Sequence, residues 1–278
     1  MKTKVLHANT YDAHAARQRC AKFRRRILEV SQQVPALHIG GAFSAAEILD
    51  CCYFGLIRFD DAGNSPDTFL LSKGHGCMIL YVVLEELGFL THRDLDNFCT
   101  SQGQLGIHPD YGVPGIHAST GALGHGLSMA VGMAYAENIQ GGDGVVYCCL
   151  SDGELQEGST WEATLMASSL GVTNLVAFVD NNDFQSLGRT SETHPSFYPV
   201  KEKYEAFGWD TVELSGHDSQ AIYDAVTSRK GDRPMMVVCK TIKGKGVSYM
   251  EDQPIWHYRS PNPDEYAQAL AELEREFD

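Results

Sequence analysis

Five short apolar runs, separated by segments with helical spacing, restrict the fold of this sequence more than any other feature. They are Phe69 to Leu71, Val145 to Leu150, Leu175 to Val179, Trp209 to Leu214 and Met235 to Cys239. Strands that alternate with helices favour βαβ units, in which the strands are parallel and helices cover the sheet. The sequence therefore predicts an α/β fold with a doubly wound, mostly parallel sheet flanked by helices.

Helical segments are predicted between and before these strands. Tyr11 to Gln33 carries apolar residues at three- and four-residue spacing, and Pro35 ends that helix. Ser44 and Glu47 have the spacing of a capping box, which predicts a helix that runs through Ile57. Further helices are predicted from Thr91 to Cys99, Leu127 to Asn138, Ser159 to Leu170, Ser196 to Phe207, Ser219 to Arg229 and Pro263 to Phe277.

The length of 278 residues allows one large α/β domain or two. Because no linker, repeat or low-complexity tract interrupts the pattern, we assign residues 1–278 to a single domain. Within it, residues 11–58 are expected to form an N-terminal helical segment, and residues 241–278 a C-terminal loop and helix.

The charge balance limits the partners of the chain. Its 22 basic and 36 acidic residues give a net charge of −14, which argues against nucleic acid and anionic membranes. The one basic cluster, Arg24-Arg25-Arg26, is interpreted as a solvated helix face. No apolar run has the length of a membrane span, and Met1 to Tyr11 has no hydrophobic signal core. The eight cysteines have no C-x-x-C spacing and are predicted to be buried, reduced thiols of a cytoplasmic protein.

Polar residues follow two of the predicted strands directly. Asp152 comes after the second strand, and Asn182 comes after the third. Ligands bind outside the carboxyl ends of parallel strands, so these side chains are expected to lie close together. Carboxylate and amide oxygens suit Mg²⁺ or Ca²⁺, with phosphate oxygens completing the coordination, and Gly153 would let the backbone approach that phosphate. A purely structural Asp-Gly turn is the alternative from these residues alone.

Loops with glycine or histidine offer further candidates. The turn from Gly121 to Gly126 precedes a helix, where free N–H groups and the helix dipole can bind phosphate. Its spacing is neither that of a P-loop nor that of a dinucleotide fingerprint. Gln102 to Thr120 is a long loop without periodicity, of the kind that is functional or disordered. The candidate histidines in such loops are His38, His75, His108 and His257.

The pair Asp152-Gly153, followed by Asn181-Asn182, resembles the thiamine diphosphate motif G-D-G…N-N, although Ser151 replaces the first glycine. The surrounding segments resemble the N-terminal half of transketolases, except that His38-Ile-Gly-Gly stands where they usually show Gly-His-Pro-Gly. The resembling segments are Ser72 to Gly76, His108-Pro109, Thr120 to Gly126, Asp152 to Ala163, Tyr204 to Trp209 and Lys240 to Gly246.

This resemblance implies roles for individual residues. It implies that Asp152, Asn182 and the backbone carbonyl of Phe184 bind Mg²⁺ or Ca²⁺. Glu157 and Glu162 match glutamates at the interface between two cofactor sites. The residues implied to bind thiamine diphosphate are His75, Gly121, Leu123, Asp152, Gly153, Glu154, Asp180, Asn182 and His257. The candidate catalytic residues are His38, His75, His108 and His257.

The resemblance also implies a function. The chain is similar to the diphosphate-binding subunit of a split transketolase, which transfers a two-carbon ketol unit from a ketose phosphate to an aldehyde acceptor. The implied partner is a pyrimidine-binding and C-terminal subunit of about 300 residues, a length that two ordinary domains provide. An α2β2 heterotetramer is expected. The alternatives are another split thiamine diphosphate enzyme, either deoxyxylulose-phosphate-synthase-like or 2-oxoacid-decarboxylating, and a non-catalytic subunit that holds the cofactor.

Overall fold

The computed structural model describes residues 11–186 and 188–275. The strands of the sheet are β1 (Thr68–Leu71), β2 (Val146–Ser151), β3 (Leu175–Asn181), β4 (Asp210–Ser215) and β5 (Met235–Lys240). Their spatial order is β1, β2, β3, β5, β4, and each pair of neighbours is parallel. The predicted α/β fold with a doubly wound parallel sheet is confirmed, and each predicted strand lies within about one or two residues of an observed one.

Helices cover both faces of this sheet. The first ones are α1 (Ala13–Ser31), α2 (Ile39–Ser44), α3 (Ala46–Cys51), α4 (Cys77–Glu86), α5 (His92–Asp96) and α6 (Gly126–Gln140). The later ones are α7 (Gly158–Ser169), α8 (Thr190–Thr193), α9 (Val200–Ala206), α10 (Ser219–Thr227) and α11 (Pro263–Glu274). A π-helical turn, Cys52–Leu56, continues α3.

The central strands separate two apolar layers. Along β3, Val176 and Phe178 pack into the layer that contains α1, α3 and α4, whereas Ala177 and Val179 pack into the layer that contains α6, α7 and Tyr204 of α9. The apolar side chains of this strand are fully buried on both faces. Such continuous burial is typical of parallel sheets that are covered on both sides. It also leaves the carboxyl ends of the strands as the place where polar loops meet.

Two predicted helix starts are wrong. Ser44 ends α2 instead of capping a helix, because its hydroxyl donates to Asp180 at 2.6 Å and Glu47 pairs with Arg24. The segment predicted as one helix from Ser196 contains a 3₁₀ turn, Pro195–Phe197, and α9 begins only at Val200. Pro199 occupies the N-cap of α9, where its lack of an N–H group costs no helical hydrogen bond. The predicted helix start at Thr91 is confirmed, with a capping box formed by Thr91 and Asp94.

The arginine cluster is only partly the solvated face that was predicted. Arg25 is exposed, but Arg24 is buried and donates to Glu47 and to the carbonyl of Phe43. Arg26 pairs with Glu85 of α4. The cluster therefore fastens α1 to neighbouring helices, which the sequence did not reveal because the acidic partners are distant in the chain.

The cysteines are free, and seven of the eight are buried as predicted, whereas Cys99 is exposed. Among the described residues, no helix is long and apolar enough to cross a membrane. Residues 11–58 contain α1, α2, α3 and the π-helical turn, and residues 241–275 contain a loop and α11. The predicted helix end at Phe277, and most of Met1 to Tyr11, lie outside the described residues.

Candidate functional site

Polar loops follow β1, β2, β3 and β5 at one edge of the sheet and surround a cavity of about 340 Å³. The strand register brings these loops to the same level, since Ser151 is paired with Asp180, and Asn181 with Lys240. The predicted site residues that line the cavity are His38, His75, Gly121, Leu123, Gly153, Asn182, Phe184 and His257.

The carboxylate of Asp152 is buried between the cavity-lining residues Ser151 and Gly153. Its oxygens accept hydrogen bonds from the backbone N–H groups of Gly153 at 2.8 Å and Asp183 at 2.5 Å. Burial and the nearby carboxylate of Asp180 raise the pKa of Asp152 to about 7. The negative charge of the ionised form is therefore incompletely compensated, as expected for a carboxylate that binds a cation.

Asn182 is oriented by two hydrogen bonds of its side-chain amide. The Nδ2 group donates to Asp180 at 3.2 Å, and the Oδ1 atom accepts from the N–H of Phe184 at 3.0 Å. These hydrogen bonds determine the orientation of the amide, with Nδ2 towards Asp180 and Oδ1 towards the N–H group of Phe184. The Oδ1 atom retains a lone pair for a further ligand.

Asp180 does not line the cavity, and its contact with the cofactor stays a prediction. It is fully buried and receives hydrogen bonds from Lys73, Ser44, Thr241 and Asn182. Burial opposes its charged form, but the ammonium of Lys73 and these donors lower its pKa. Asp180 therefore holds the loops after β1, β3 and β5 together from behind the cavity.

Glu154 is likewise behind the cavity. Its buried carboxylate accepts from the hydroxyl of Ser72 and from the N–H of Gly124 at 2.8 Å. It connects the loop after β2 with the glycine turn that precedes α6. Glu154 thus positions that turn, and its contact with the cofactor stays a prediction.

Three histidine rings face one another in the cavity. The ring centroids of His38 lie 5.4 Å from His75 and 5.2 Å from His257, and those of His75 and His257 are 5.7 Å apart. Burial and neighbouring cationic groups lower the pKa of His38 to about 4 and that of His257 to about 3. The pKa of His75 is lowered in the same direction for the same reason. At neutral pH each ring is therefore uncharged and offers one donor and one acceptor.

Lys243 is buried in the same wall and was not among the predicted site residues. Its Nζ atom lies 2.9 Å from Nδ1 of His257 and 5.6 Å from the ring centre of Phe184. Burial lowers the pKa of this ammonium to about 8. The ion pairs found within 11–186 and 188–275 include none that neutralises it. A buried cation that opens onto a polar cavity without a carboxylate partner is suited to an anionic ligand.

The glycine turn lines the cavity through Gly121, which is in close contact with His108. Gly121 has φ of 137°, and a side chain there would bring its Cβ to 2.6 Å from Cδ2 of His108. Glycine is therefore required both for the backbone conformation and for the space. His108 itself does not line the cavity directly but packs against its wall.

The residues present fit a diphosphate with a divalent cation. Asp152 and Asn182 carry oxygen atoms suited to a divalent cation, while Lys243 carries a positive charge suited to phosphate. Among the residues that the structure describes, no group of three or more His, Cys, Asp or Glu side chains is placed to hold a metal. Mg²⁺ commonly combines one or two protein carboxylates with phosphate oxygens, which a diphosphate would supply here.

Comparison with protein families identifies the family of this chain. The family described as transketolase, thiamine diphosphate binding domain, matches residues 17–273. The chain belongs to this family. The resemblance drawn from the sequence is thereby confirmed, with thiamine diphosphate as the cofactor of the family. Ketol transfer is favoured over the other thiamine diphosphate reactions.

Individual transketolases support the same assignment. The chain is 37% identical over 257 residues to an apulose-4-phosphate transketolase subunit of Phocaeicola vulgatus, covering 91% of each chain. It is 36% identical over 261 residues to 6-deoxy-6-sulfo-D-fructose transketolase subunit SqwG of a Clostridium species, covering 91% of this chain and 94% of that one. Transketolase of Campylobacter jejuni has a TM-score of 0.85 at 26% identity. There the match covers 94% of this chain but 43% of the other.

Two lysines of this transketolase-family site escaped prediction from the sequence. Lys73 and Lys243 were visible only as parts of matched segments, Ser72 to Gly76 and Lys240 to Gly246. Lys73 is the second residue after β1, and Lys243 is the third residue after β5. A basic residue just after a strand of a parallel sheet could have indicated a ligand contact, because ligands bind at the carboxyl ends of such strands.

Proposed function

We propose that this chain is the diphosphate-binding subunit of a two-chain transketolase. The observation that carries the proposal is the cavity lined by Asn182, Lys243 and three neutral histidines, with the buried carboxylate of Asp152 between two of its lining residues. The relatives whose names describe one subunit of an apulose-4-phosphate transketolase have nearly the same length as this chain. Ketose phosphate and aldehyde substrates follow from the transketolase assignment.

The diphosphate of the cofactor is proposed to bind to the residues that line the cavity. Asp152, Asn182 and the carbonyl of Phe184 would hold Mg²⁺ or Ca²⁺, and Gly153 would allow the backbone to approach the diphosphate. Lys243 and His257 would donate to the diphosphate oxygens. Because Lys243 can only donate, Nδ1 of His257 accepts from it, and Nε2 of His257 carries the hydrogen that faces a ligand.

When bound, thiamine diphosphate supplies the nucleophilic carbon for ketol transfer. The protein has to orient the donor sugar and move protons at its hydroxyl groups. His38 and His108 are proposed for this task, because a neutral imidazole can accept a proton at one nitrogen and donate at the other. His38 lines the cavity and His108 packs against Gly121 of its wall, so both would lie near the reacting end of the sugar.

A partner chain is proposed to complete the site. The exposed face of α6 and α7 carries Tyr135, Ile139, Leu165 and Met166, with exposures from 39% to 68%. These two helices begin beside the cavity, directly after the glycine turn and after Glu157. Exposed apolar side chains on two neighbouring helices are a feature of protein association sites. A pyrimidine-binding subunit of about 300 residues, in an α2β2 arrangement, would cover it, with Glu157 and Glu162 at the interface.

The purified chain is expected to show no ketol transfer alone, and turnover with the candidate partner chain, because no part of the described residues supplies the pyrimidine-binding half. The measurement is formation of the new ketose from a ketose phosphate and an aldehyde, with Mg²⁺ and thiamine diphosphate. Turnover by the single chain would overturn the two-chain proposal. Cofactor binding by the assembled chains without any turnover would favour the non-catalytic alternative.

His75 and His108 are expected to differ in kinetics. His75 lines the cavity, so His75→Ala should raise the concentration of thiamine diphosphate needed for half-maximal rate by about tenfold, the loss of one hydrogen bond to a charged group. His108→Ala should lower kcat by about 100-fold, which is the contribution of one proton-transfer group, and leave that concentration nearly unchanged. Steady-state kinetics of the assembled enzyme measures both. The same change in both variants would contradict this division.

A cytoplasmic location also remains part of the proposal. It is supported by the eight free cysteines, which are typical of a reducing compartment.

A further inference from the structure

A path of hydrogen bonds leads from the helical layer to the residue next to Lys243. The N–H group of Ile242 donates to Nε2 of His217 at 2.8 Å. Nδ1 of His217 lies 2.9 Å from Oε2 of Glu47 on α3, and both side chains are at least 85% buried. Arg24 of α1 donates to both carboxylate oxygens of Glu47, at 2.7 and 2.8 Å. The loops after β4 and β5 are thereby linked to α1 and α3.

The contacts define the tautomer of His217. A backbone N–H group can only donate, so Nε2 of His217 must be the unprotonated acceptor for Ile242. Nδ1 then carries the hydrogen and donates to Glu47. A carboxylate that fixes the tautomer of a histidine from behind is the arrangement by which proteins orient functional imidazoles. Here the oriented imidazole binds the backbone beside the cavity instead of a substrate.

Glu47 is suited to this task because it is charged although buried. Burial opposes ionisation, but the guanidinium of Arg24 and the hydrogen bond from His217 lower the pKa of Glu47 below its usual value. The anionic carboxylate favours the tautomer of His217 with hydrogen on Nδ1. Replacement of the acid would remove that preference.

The chain around Ile242 is fixed on its other side as well. Thr241 donates through its N–H to the carbonyl of Asn181 at 3.2 Å, and its hydroxyl donates to Asp180. On the His217 side, the N–H of Gly216 donates to the carbonyl of Lys240 at 2.7 Å. A side chain at Gly216 would come to 2.3 Å from Thr241, so the two loops are in close contact.

We propose that His217 is a positioning residue of the cofactor site: it fixes the backbone at Ile242 and thereby directs the ammonium of Lys243 into the cavity. The proposal rests on the proposed role of Lys243 as a contact of the diphosphate. The loop after β4 does not line the cavity. According to the proposal, this loop nevertheless affects the affinity for thiamine diphosphate. His217 was not among the residues predicted from the sequence.

Two substitutions separate the two hydrogen bonds of His217. In His217→Gln, the side-chain oxygen can occupy the place of Nε2 and still accept from Ile242. In His217→Asn, the amide nitrogen can occupy the place of Nδ1 and still donate to Glu47, but the acceptor for Ile242 is lost. His92→Gln is the matched control, since His92 is also 3.0 Å from a glutamate, Glu85, but is exposed and distant from the site.

The first measurement is hydrogen exchange of the Ile242 amide in the chain without cofactor. His217→Asn should accelerate this exchange by about tenfold, the effect of losing one buried hydrogen bond, while His217→Gln should leave it close to wild type. The second measurement is calorimetry of thiamine diphosphate with Mg²⁺ on the assembled two-chain enzyme. The asparagine variant should bind about tenfold more weakly, and the glutamine and control variants should bind like wild type.

Unchanged exchange at Ile242 in His217→Asn would overturn the proposal, and so would faster exchange with unchanged affinity. Equal losses in the asparagine and glutamine variants would also overturn it, because they would indicate a general packing role. If the wild-type complex bound no thiamine diphosphate, the proposed function would fail, whereas the exchange measurement would still decide whether His217 fixes the loop.

Discussion

Replacement of Asp152 by asparagine is expected to weaken binding of thiamine diphosphate by at least about 100-fold, the upper end of what loss of a supporting contact costs a metal site. The substitution removes the charge and retains the size of the side chain. Asp152 is the carboxylate that lies between two cavity-lining residues, and its raised pKa indicates that the protein compensates its charge incompletely. Without it, the divalent cation that should bridge protein and diphosphate loses its charged ligand.

Calorimetry of the assembled two-chain enzyme with Mg²⁺ measures this effect, and EDTA should reduce the wild-type affinity to a similar extent. Asp143→Asn is the control, because Asp143 is exposed and pairs with Arg58 away from the cavity. Its affinity for thiamine diphosphate should equal that of wild type. The metal assignment is wrong if Asp152→Asn, or wild type in EDTA, binds the cofactor with undiminished affinity.

The second large effect is expected for stability. Lys73→Met should lower the free energy of unfolding by about 3–5 kcal/mol, the cost of leaving one partner of a buried ion pair uncompensated. Lys73 and Asp180 are both essentially inaccessible to solvent. The carboxylate of Asp180 would keep its hydrogen bonds from Ser44 and Thr241 but lose its only cationic partner among the ion pairs of the described residues.

Urea unfolding of the chain measures this loss as a lower midpoint at unchanged slope. The double variant Lys73→Met, Asp180→Asn removes both charges and should recover part of the stability, which gives the coupling energy of the pair. Lys22→Met is the matched control. Lys22 pairs with Glu86 on the surface, so its loss should cost less than about 1 kcal/mol. Equal losses for Lys73→Met and Lys22→Met would contradict the structural role of the buried pair.

The strands were predictable because burial on both faces leaves a continuous apolar run in the sequence. Leu175 to Val179 is such a run, and its neighbours in the sheet are of the same type. The start at Ser44 was not predictable, because the spacing of serine and glutamate is the same in a capping box and in two unrelated buried contacts. Ser44 binds Asp180, and Glu47 binds Arg24 and His217, and these partners come from distant parts of the chain.

The closeness of Asp152 and Asn182 could be predicted from their position after neighbouring strands, whereas the cavity-lining histidines His38, His75 and His257 depended on the family resemblance, since His38 follows α1 and not a strand. The residues that lie behind the cavity could not be predicted from the sequence. Asp180 is the penultimate residue of β3 and Glu154 follows β2 as Asp152 does, and only the geometry shows that lysine, hydroxyl and backbone donors already occupy their oxygens. The missed lysine, Lys243, is buried at the cavity and takes part in none of the ion pairs of the described residues. That property depends on the fold and not on local sequence.

The contact between His38 and His257, with ring centroids 5.2 Å apart, joins residues from nearly opposite ends of the chain. During synthesis the ribosome releases His38 long before His257, so this part of the cavity cannot form until most of the chain has emerged. Contacts of such sequence separation also slow folding, because a large loop must be ordered before they form. Fragments that stop before the 3₁₀ turn Pro254–His257 would thus lack one side of the cavity in which we propose that the cofactor binds. Nascent chains of this protein should acquire affinity for thiamine diphosphate only as a late event of translation.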